Sequence, residues 1–420
     1  MKPSLCLLLI AMIFPMLTPT LSAQKCRSHA NWEEKVEQDP QALLRREQLQ
    51  NFTEIYQDNS SSRALKVTIP VVVHVLYNNS TQNISTAQIN SQIDRLNEDF
   101  RLMNADSLSS SHAFWPYVAD AEIEFCLAQQ DPDGFATTGI TRTQTSVPYF
   151  DDYSEDMKSS ATGGVDNWDP TSYLNMWVVG FHNDSLTLGF AAFPSELSSD
   201  PELDGIVFRH EVFGTVGTAG SNGFGVNDNG RTATHEVGHW LNLFHIWGDD
   251  ICGDDLVNDT PEHEEENYDC PSFPNRPNNS CGSDQNGEMY MNYMDYVDDD
   301  CMKMFTGGQK LRMHAAIDGA RSALKTSAGC ESSSVGIRAT ESLPFNLYPN
   351  PADDMVMVDF GASQQNISAS VYSLSGTLQM RINQKTGSSI QLPVNALTSG
   401  CYLVEIASDQ GVKTVKLFVR

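Results

Sequence analysis

Three histidines at fixed spacing, His235, His239 and His245, restrict this chain more than any other feature of its sequence. They lie in Thr232-Ala-Thr-His-Glu-Val-Gly-His-Trp-Leu-Asn-Leu-Phe-His245. Residues four apart on an α-helix project from one face about one turn apart, so His235 and His239 can both bind one Zn²⁺. His245 lies six residues beyond His239, too far along to share that face. It becomes a third ligand only if the helix stops and the chain turns sharply between them. Asn242 stands where that turn is needed, and Asn is among the few non-glycine residues that tolerate positive φ. Glu236, beside the first histidine, can reach water activated by the metal and take its proton. The competing reading is a surface helix with three unrelated histidines, and the His-Glu-x-x-His spacing with a third spaced histidine argues against it.

The surrounding pattern is that of a mixed α/β domain. Val67-Thr-Ile-Pro-Val-Val-Val-His-Val-Leu-Tyr77 is β-branched and nearly all apolar, as expected of a strand buried on both faces. Ser85 or Thr86 can cap a helix whose apolar positions Ile89, Ile93, Leu96 and Phe100 recur at helical spacing. Further strands are expected at Ala121–Ala128, Leu174–Phe181 and Gly205–Phe213, and helices at Thr232–Leu243 and from Gln309 to about Lys325. Residues 24 to about 63 are polar and rich in Gln, Asn and Ser, a linker-like composition. From about Ser342 short alternating runs (Met355–Phe360, Ser368–Leu374, Tyr402–Ile406, Val412–Val419) predict a small β-sandwich after a linker at 331–341.

Lys2, the apolar run from Leu5 to about Leu17 and a small residue at Ala23 describe a secretory signal peptide over residues 1–23. No later run reaches the ~18 apolar residues of a transmembrane helix. Export permits disulfides. Of nine cysteines, Cys252, Cys270, Cys281 and Cys301 crowd into one region and read as two bridges, for which sequence alone allows three connectivities. A zinc ribbon would need a Cys-x-x-Cys pair, and there is none. Cys126, Cys330 and Cys401 have no assigned partner. With 26 Lys+Arg against 54 Asp+Glu the net charge is -28, which excludes nucleic-acid binding. Much of the excess lies between Asp249 and Asp300, either as a solvated surface or as a site for a hard cation.

From about Cys26 to Cys330 the chain resembles the pappalysins of the cytophagalysin type, within the metzincin metallopeptidases. The metzincin pattern is His-Glu-x-x-His-x-x-Gly-x-x-His followed by a Met-containing turn, here matched by Met291-Asn-Tyr-Met-Asp-Tyr296 with Asn242 replacing the glycine. Ile69-Pro-Val-Val-Val-His74, Asp131-Pro-Asp-Gly134 with Gly139-Ile-Thr-Arg142, and Asp259-Thr-Pro261 also look like family blocks. The resemblance implies a metzincin zincin domain (α/β, α+β) over residues 63–330, with a mixed twisted sheet and an active-site helix. In it Met294 forms the base beneath the metal and Tyr296 hydrogen-bonds the developing oxyanion. It further implies the bridges Cys252–Cys281 and Cys270–Cys301, and structural Ca²⁺ held by Asp255, the carbonyl of Asn258, and Thr260. Asp300 matches the acidic floor of the pocket for the residue after the scissile bond, which would favour Arg or Lys there. Lys25-Cys-Arg27 resembles a cysteine switch, so residues 24–62 are expected to be a propeptide in which the Cys26 thiolate binds the zinc of the latent form, with maturation near Ser62–Arg63.

At the other end, Asn346-Leu-Tyr-Pro-Asn-Pro351, Val371-Tyr-Ser-Leu-Ser-Gly376, Leu397-Thr-Ser-Gly-Cys-Tyr402 and the terminal Val412–Arg420 resemble the sorting domain of type IX secretion cargo. The resemblance implies an all-β, Ig-like sandwich over residues 342–420 that engages the secretion machinery. Together these readings describe a secreted zinc endopeptidase acting on proteins or peptides. The alternatives are a secreted, non-catalytic binding or adhesion protein on the same fold, and a zinc-dependent amidase. Retention of Glu236 argues against the first, and the Met turn against the second.

Overall fold

The computed structural model describes residues 26–59, 66–182, 185–277, 281, 285–332, 343–374 and 376–420, in two compact units that divide between Ser333 and Ser334. The expected signal peptide, the maturation site at Ser62–Arg63 and most of the linker lie outside the described residues. Among those described, no helix is long and apolar enough to cross a membrane.

The first unit is built on the apolar run recognised above. β1 (Val67–Tyr77) is buried along nearly its whole length and has neighbours on both sides. On one side it pairs in parallel with β2 (Ile123–Leu127) through Val67–Val71, then with β3 (Ile140–Gln144) through Val73–Tyr77. On the other lies β4 (Leu174–Val179), parallel, followed by β6 (Ile206–Arg209) and the edge strand β5 (Gly189–Ala191). β5 alone runs antiparallel to its neighbour. The sheet is thus mixed, and its one reversed strand is the edge strand.

α3 (Thr86–Phe100) is capped by Ser85, whose side chain accepts from the Gln88 amide at 3.1 Å. Ile89, Ile93, Leu96 and Phe100 are buried in the same core as α4 (Arg231–Trp240). α5 (Gly307–Asp318) opens with a capping box between Thr306 and Gln309. The helix expected to reach Lys325 instead ends at Asp318, and a short 3₁₀ turn over Ser322–Thr326 follows. The break lets buried Arg321 turn inward to Asp204.

Four strands escaped the sequence reading: in this unit β3, which is short and half-buried, and β5, which has only three residues, and in the second unit Asn346–Tyr348 and Leu378–Pro393. The larger correction concerns residues 24–63. The linker-like segment forms two helices, α1 (Ser28–Gln38) and α2 (Gln41–Asn59). Their few apolar contacts, Trp32 and Ala42 against Phe193 with Val36 and Phe244 packed alongside, are too sparse for periodicity to reveal.

The second unit is all-β. β7 (Asn346–Tyr348), β8 (Met355–Ser373), β9 (Leu378–Pro393), β10 (Gly400–Ser408) and β11 (Gly411–Val419) form one antiparallel sheet in the order β11-β10-β8-β7, with β9 also on β8. The two runs expected at Met355–Phe360 and Ser368–Leu374 are one long strand with a register shift between Asp359 and Gln364, where Gly361 takes φ 68°. The all-β description is what this topology supports, the hydrogen bonding joining one sheet around Val356, Val358, Val371, Val404 and Ile406.

Among the described residues, three disulfides close the first unit: Cys252–Cys281, Cys270–Cys301 and Cys126–Cys330. The last joins β2 to a residue 204 positions away, a pairing that spacing alone did not suggest. Closing so long a loop removes much freedom from the unfolded chain. Replacing both Cys126 and Cys330 by Ser is expected to cost about 2–4 kcal/mol in chemical denaturation; an unchanged midpoint would show that the bridge does not constrain the fold.

Candidate metal centre

Every residue of α4 is buried, and the helix is held at both ends. At its start, the carboxylate of Asp299 accepts from the amides of Asn229 (2.9 Å) and Arg231 (3.1 Å), supplying the N-terminal partner a helix lacks. Burial pushes that carboxyl up to about 6 despite these bonds. At its end, Arg321 Nε donates to the carbonyl of Trp240 (2.9 Å) and Arg312 Nε to that of Asn242 (2.6 Å). Asn242 takes φ 77°, the left-handed conformation anticipated for it, and the chain leaves the helix axis there.

This turn brings His245 to the other two histidines. His239 Nε2 lies 3.1 Å from His235 Nε2 and 3.1 Å from His245 Nε2. Each ring is oriented through its other nitrogen. His235 Nδ1 contacts the carbonyl of Tyr293 and His239 Nδ1 that of Leu243, both at 2.8 Å, and His245 Nδ1 meets the carboxylate of Asp249. A carbonyl can only accept, so Nδ1 of His235 and of His239 carries the proton and their Nε2 lone pairs face a common point. Facing lone pairs repel unless a cation lies between them. Tetrahedral Zn²⁺ with Zn–N of ~2.0–2.1 Å would separate its nitrogen ligands by about 3.3 Å, close to the spacing observed.

A fourth donor completes the set. Cys26 is buried, and its Sγ belongs to a cluster with the three histidines whose ligand atoms all lie within 4.8 Å of one another. Three imidazoles and a thiol suit zinc. Cys26 sits beside β5, in a parallel bridge with Gly189. Burial, then the charge of Glu236, raises its thiol pKa.

Glu236 projects into the same space. Its Oε2 accepts from Ser28 Oγ at 2.9 Å and lies 3.4 Å from Cys26 Sγ, while Oε1 is buried without a hydrogen-bond partner. Burial pushes this carboxyl up to about 8. Ser28 Oγ in turn accepts from the Ala191 amide of β5 at 2.8 Å. Tyr296 OH lies 3.2 Å from His245 Nε2 and donates to the backbone carbonyl of Cys26 at 3.2 Å. Met294 is buried below the helix: a Cβ added to Gly238 would come within 2.4 Å of its Sδ, so helix and Met turn touch only because residue 238 is glycine.

Of the other residues singled out, Asp255 is buried, with Oδ1 accepting from Thr260 Oγ1 (2.8 Å) and the Val257 amide (3.1 Å). Its Oδ2 is buried without a partner, and burial pushes the carboxyl up to about 7. Asn258 is exposed beside it. Asp300 is exposed and does not line the cavity next to the histidines, whereas Met302, two residues on, does. Sequence reasoning missed Ser28, Asp249 and Trp247, whose ring stacks on His245 at 4.3 Å. Asp249 was hidden in an acidic run, and nothing about Ser28 or Trp247 in the sequence marks them.

Comparison with known proteins places these residues in context. Residues 158–318 match the family described as pregnancy-associated plasma protein-A, and residues 346–420 match the secretion system C-terminal sorting domain. Two solved structures of mirolysin from Tannerella forsythia are similar. A mutant of promirolysin is 44% identical, with a TM-score of 0.66, over 72% of this chain and 97% of that one. Mature mirolysin with a cleaved peptide is 48% identical, with a TM-score of 0.59, over 63% and 97%. An extracellular metalloprotease of Arthroderma benhamiae is 30% identical over 263 residues, 60% of this chain and 73% of its own length. One of Colletotrichum graminicola is 37% identical over 133 residues, which span 44% of that protein.

The purified protein is expected to carry one zinc per chain by elemental analysis, and His239→Ala to lose most of it. Asn242→Gly should retain both metal and stability. Asn242→Val, forced into a conformation β-branched residues avoid, should cost at least about 1–2 kcal/mol and weaken zinc retention. Equal behaviour of the two would mean that the turn does not govern the third ligand.

Proposed function

Since the chain belongs to the pappalysin family of metzincin metallopeptidases and ends in a type IX secretion sorting domain, we propose that it is a zinc endopeptidase secreted as a latent precursor. That it is a secreted zinc metallopeptidase follows from the family and the sorting domain. The finer reading is supported above all by one observation: Cys26 Sγ shares a buried cluster with three histidines, directly against Glu236.

Zinc bound by His235, His239 and His245 would polarise a peptide carbonyl and acidify water. Glu236 then acts as the base. Its place beside the three histidines suits a group that must accept a proton from water and return it to the departing amine. Tyr296 donates to a backbone carbonyl even in the latent form, and the same phenol, turned to a substrate, would stabilise charge growing on the oxygen. Met294 supports the floor through its contact with Gly238.

Latency is attributed to residues 24–62. Cys26 takes a ligand position, and Ser28 and Cys26 engage Glu236 Oε2, so metal and base are masked by one segment. Similarity to promirolysin over more of the chain than to mature mirolysin accords with this division. Arg46 on α2 lies over Trp32 (3.9 Å), Phe193 (4.7 Å) and Phe244 (4.5 Å), giving the segment a second anchor. A preference for Arg or Lys after the scissile bond is ascribed to Asp300, an exposed carboxylate two residues before the cavity-lining Met302. Structural Ca²⁺ is ascribed to the loop of Asp255, Asn258 and Thr260, where the unpartnered Asp255 Oδ2 is a ready oxygen ligand.

An unbiased peptide library tests this. Activated wild type should cut it, a chelator should abolish cutting, and Glu236→Ala should lower the rate by about 10²–10⁴-fold. The full chain carrying Cys26→Ala should show more basal activity than wild type; if it were equally silent, latency would not depend on the thiol. Failure of wild type to cut any peptide while binding zinc stoichiometrically would instead favour a binding protein.

A further inference from the structure

Arg27 is an unusual residue to find buried. It follows Cys26 directly and is only 3% exposed. Among the described residues its Nε has no hydrogen-bond partner and its one side-chain ion pair, to Glu34 at 3.3 Å, is within its own segment. What holds it on the side of the catalytic domain is Tyr153, with the guanidinium carbon 3.6 Å from the ring centroid. That is the geometry of a cation over an aromatic face.

The platform under Arg27 is built independently of it. Tyr153 sits in a tight turn in which its amide donates to Asp151 Oδ1 at 3.0 Å. The intervening Asp152 is buried and accepts from Ser185 Oγ (2.9 Å) and Thr187 Oγ1 (2.5 Å). Thr187 lies two residues before β5, so the turn is stapled to the strand along which Cys26 and Arg27 run. The Arg27 amide donates to the Gly189 carbonyl at 3.2 Å. Asp151 and Asp156, two residues before and three residues after Tyr153, are both exposed.

The carbonyl of Cys26 receives the Tyr296 hydroxyl beside the histidines, as a reacting carbonyl would. The side chain of the adjoining residue is the one that reaches Tyr153. We propose that, once the N-terminal segment has left, Tyr153 forms a subsite for an Arg or Lys side chain of the substrate, immediately beside the scissile bond and separate from Asp300. The inference rests on the peptidase reading above. In the latent chain Arg27 occupies the subsite as an internal mimic of substrate. The ring recognises the cation by its face, so it needs no carboxylate partner of its own. Tyr153 is 69% exposed even with Arg27 in place, leaving room for side chains of different length.

The test compares wild type, Tyr153→Ala and Tyr153→Phe, each expressed as the full chain, activated, and assayed on one library randomised on both sides of the cut. Tyr153 is a surface residue, so the melting temperature should be unchanged in both variants. At one position adjoining the scissile bond, Tyr153→Ala should lose about two- to tenfold of the preference for Arg and Lys over Leu, with Tyr153→Phe retaining it. The rate on peptides lacking basic residues should hold. Undiminished preference in Tyr153→Ala, with cleavage intact, overturns the subsite and leaves the peptidase reading standing. Loss of preference in Tyr153→Phe to the same degree overturns the aromatic-face account. Absence of cleavage by all three, wild type included, would overturn both readings.

Discussion

The Nε2 atom of His239 lies within hydrogen-bond distance of those of His235 and His245, and the facing lone pairs of His235 and His239 favour a cation between them. His239 Nε2 stands 3.1 Å from both His235 Nε2 and His245 Nε2. Most of what surrounds them can be understood as fixing those rings. The carbonyls of Tyr293 and Leu243 and the carboxylate of Asp249 orient the outer nitrogens, Tyr293 from the Met turn and the other two from the stretch that follows α4. Without such partners each ring would be free to turn, and the entropy lost on metal binding would be larger.

The same constraint explains the buried charges around α4. Arg231, Arg312 and Arg321 are each almost wholly buried, which is costly unless every one is paired. Arg231 meets Asp99 and Asp106, Arg321 meets Asp204, and Arg312 serves the Asn242 carbonyl. Two of the three cations thus satisfy carbonyls at the C-terminal end of the helix, where a cation is also favoured by the helix dipole. Asp99 joins this network to the metal centre. It accepts from Thr234 on α4 and from the hydroxyl of Tyr293, whose carbonyl orients His235. The site is braced by buried polar groups that bond to one another, laid over the apolar sheet core.

The N-terminal segment and the edge of the sheet share a single surface. Along the edge strand β5, the segment around Cys26 uses main-chain contacts at Gly189 and Ala191, a donor set at the metal centre and an aromatic face at Tyr153. An edge strand offers unpaired amides and carbonyls to any extended chain. Two extended chains could not occupy it at once. Ser28 shows how closely this is done: one hydroxyl bridges the β5 amide of Ala191 and the carboxylate of Glu236.

How much of this was legible beforehand depended on whether the cause was local. The spacing of His235, His239 and His245, the positive φ at Asn242, the Ser85 cap and the apolar run of β1 are consequences of helix period, side-chain sterics and burial within a few residues of sequence. Hence the meeting of the three histidines, the buried strand and the all-β character of the C-terminal unit could be read directly. The helices of residues 28–59 could not, because Trp32, Ala42 and Arg46 gain stability from Phe193 and Phe244 rather than from one another. Nor could the Cys126–Cys330 bridge, the pairing of Asp249 with His245, or the seating of Arg27 on Tyr153. Each joins residues whose meeting is decided by how the sheet closes and which strand is left at its edge. Sequence by itself determined which atoms could bind a metal; tertiary structure decided what orients them and what covers them, because side-chain direction and burial are properties of the packed whole.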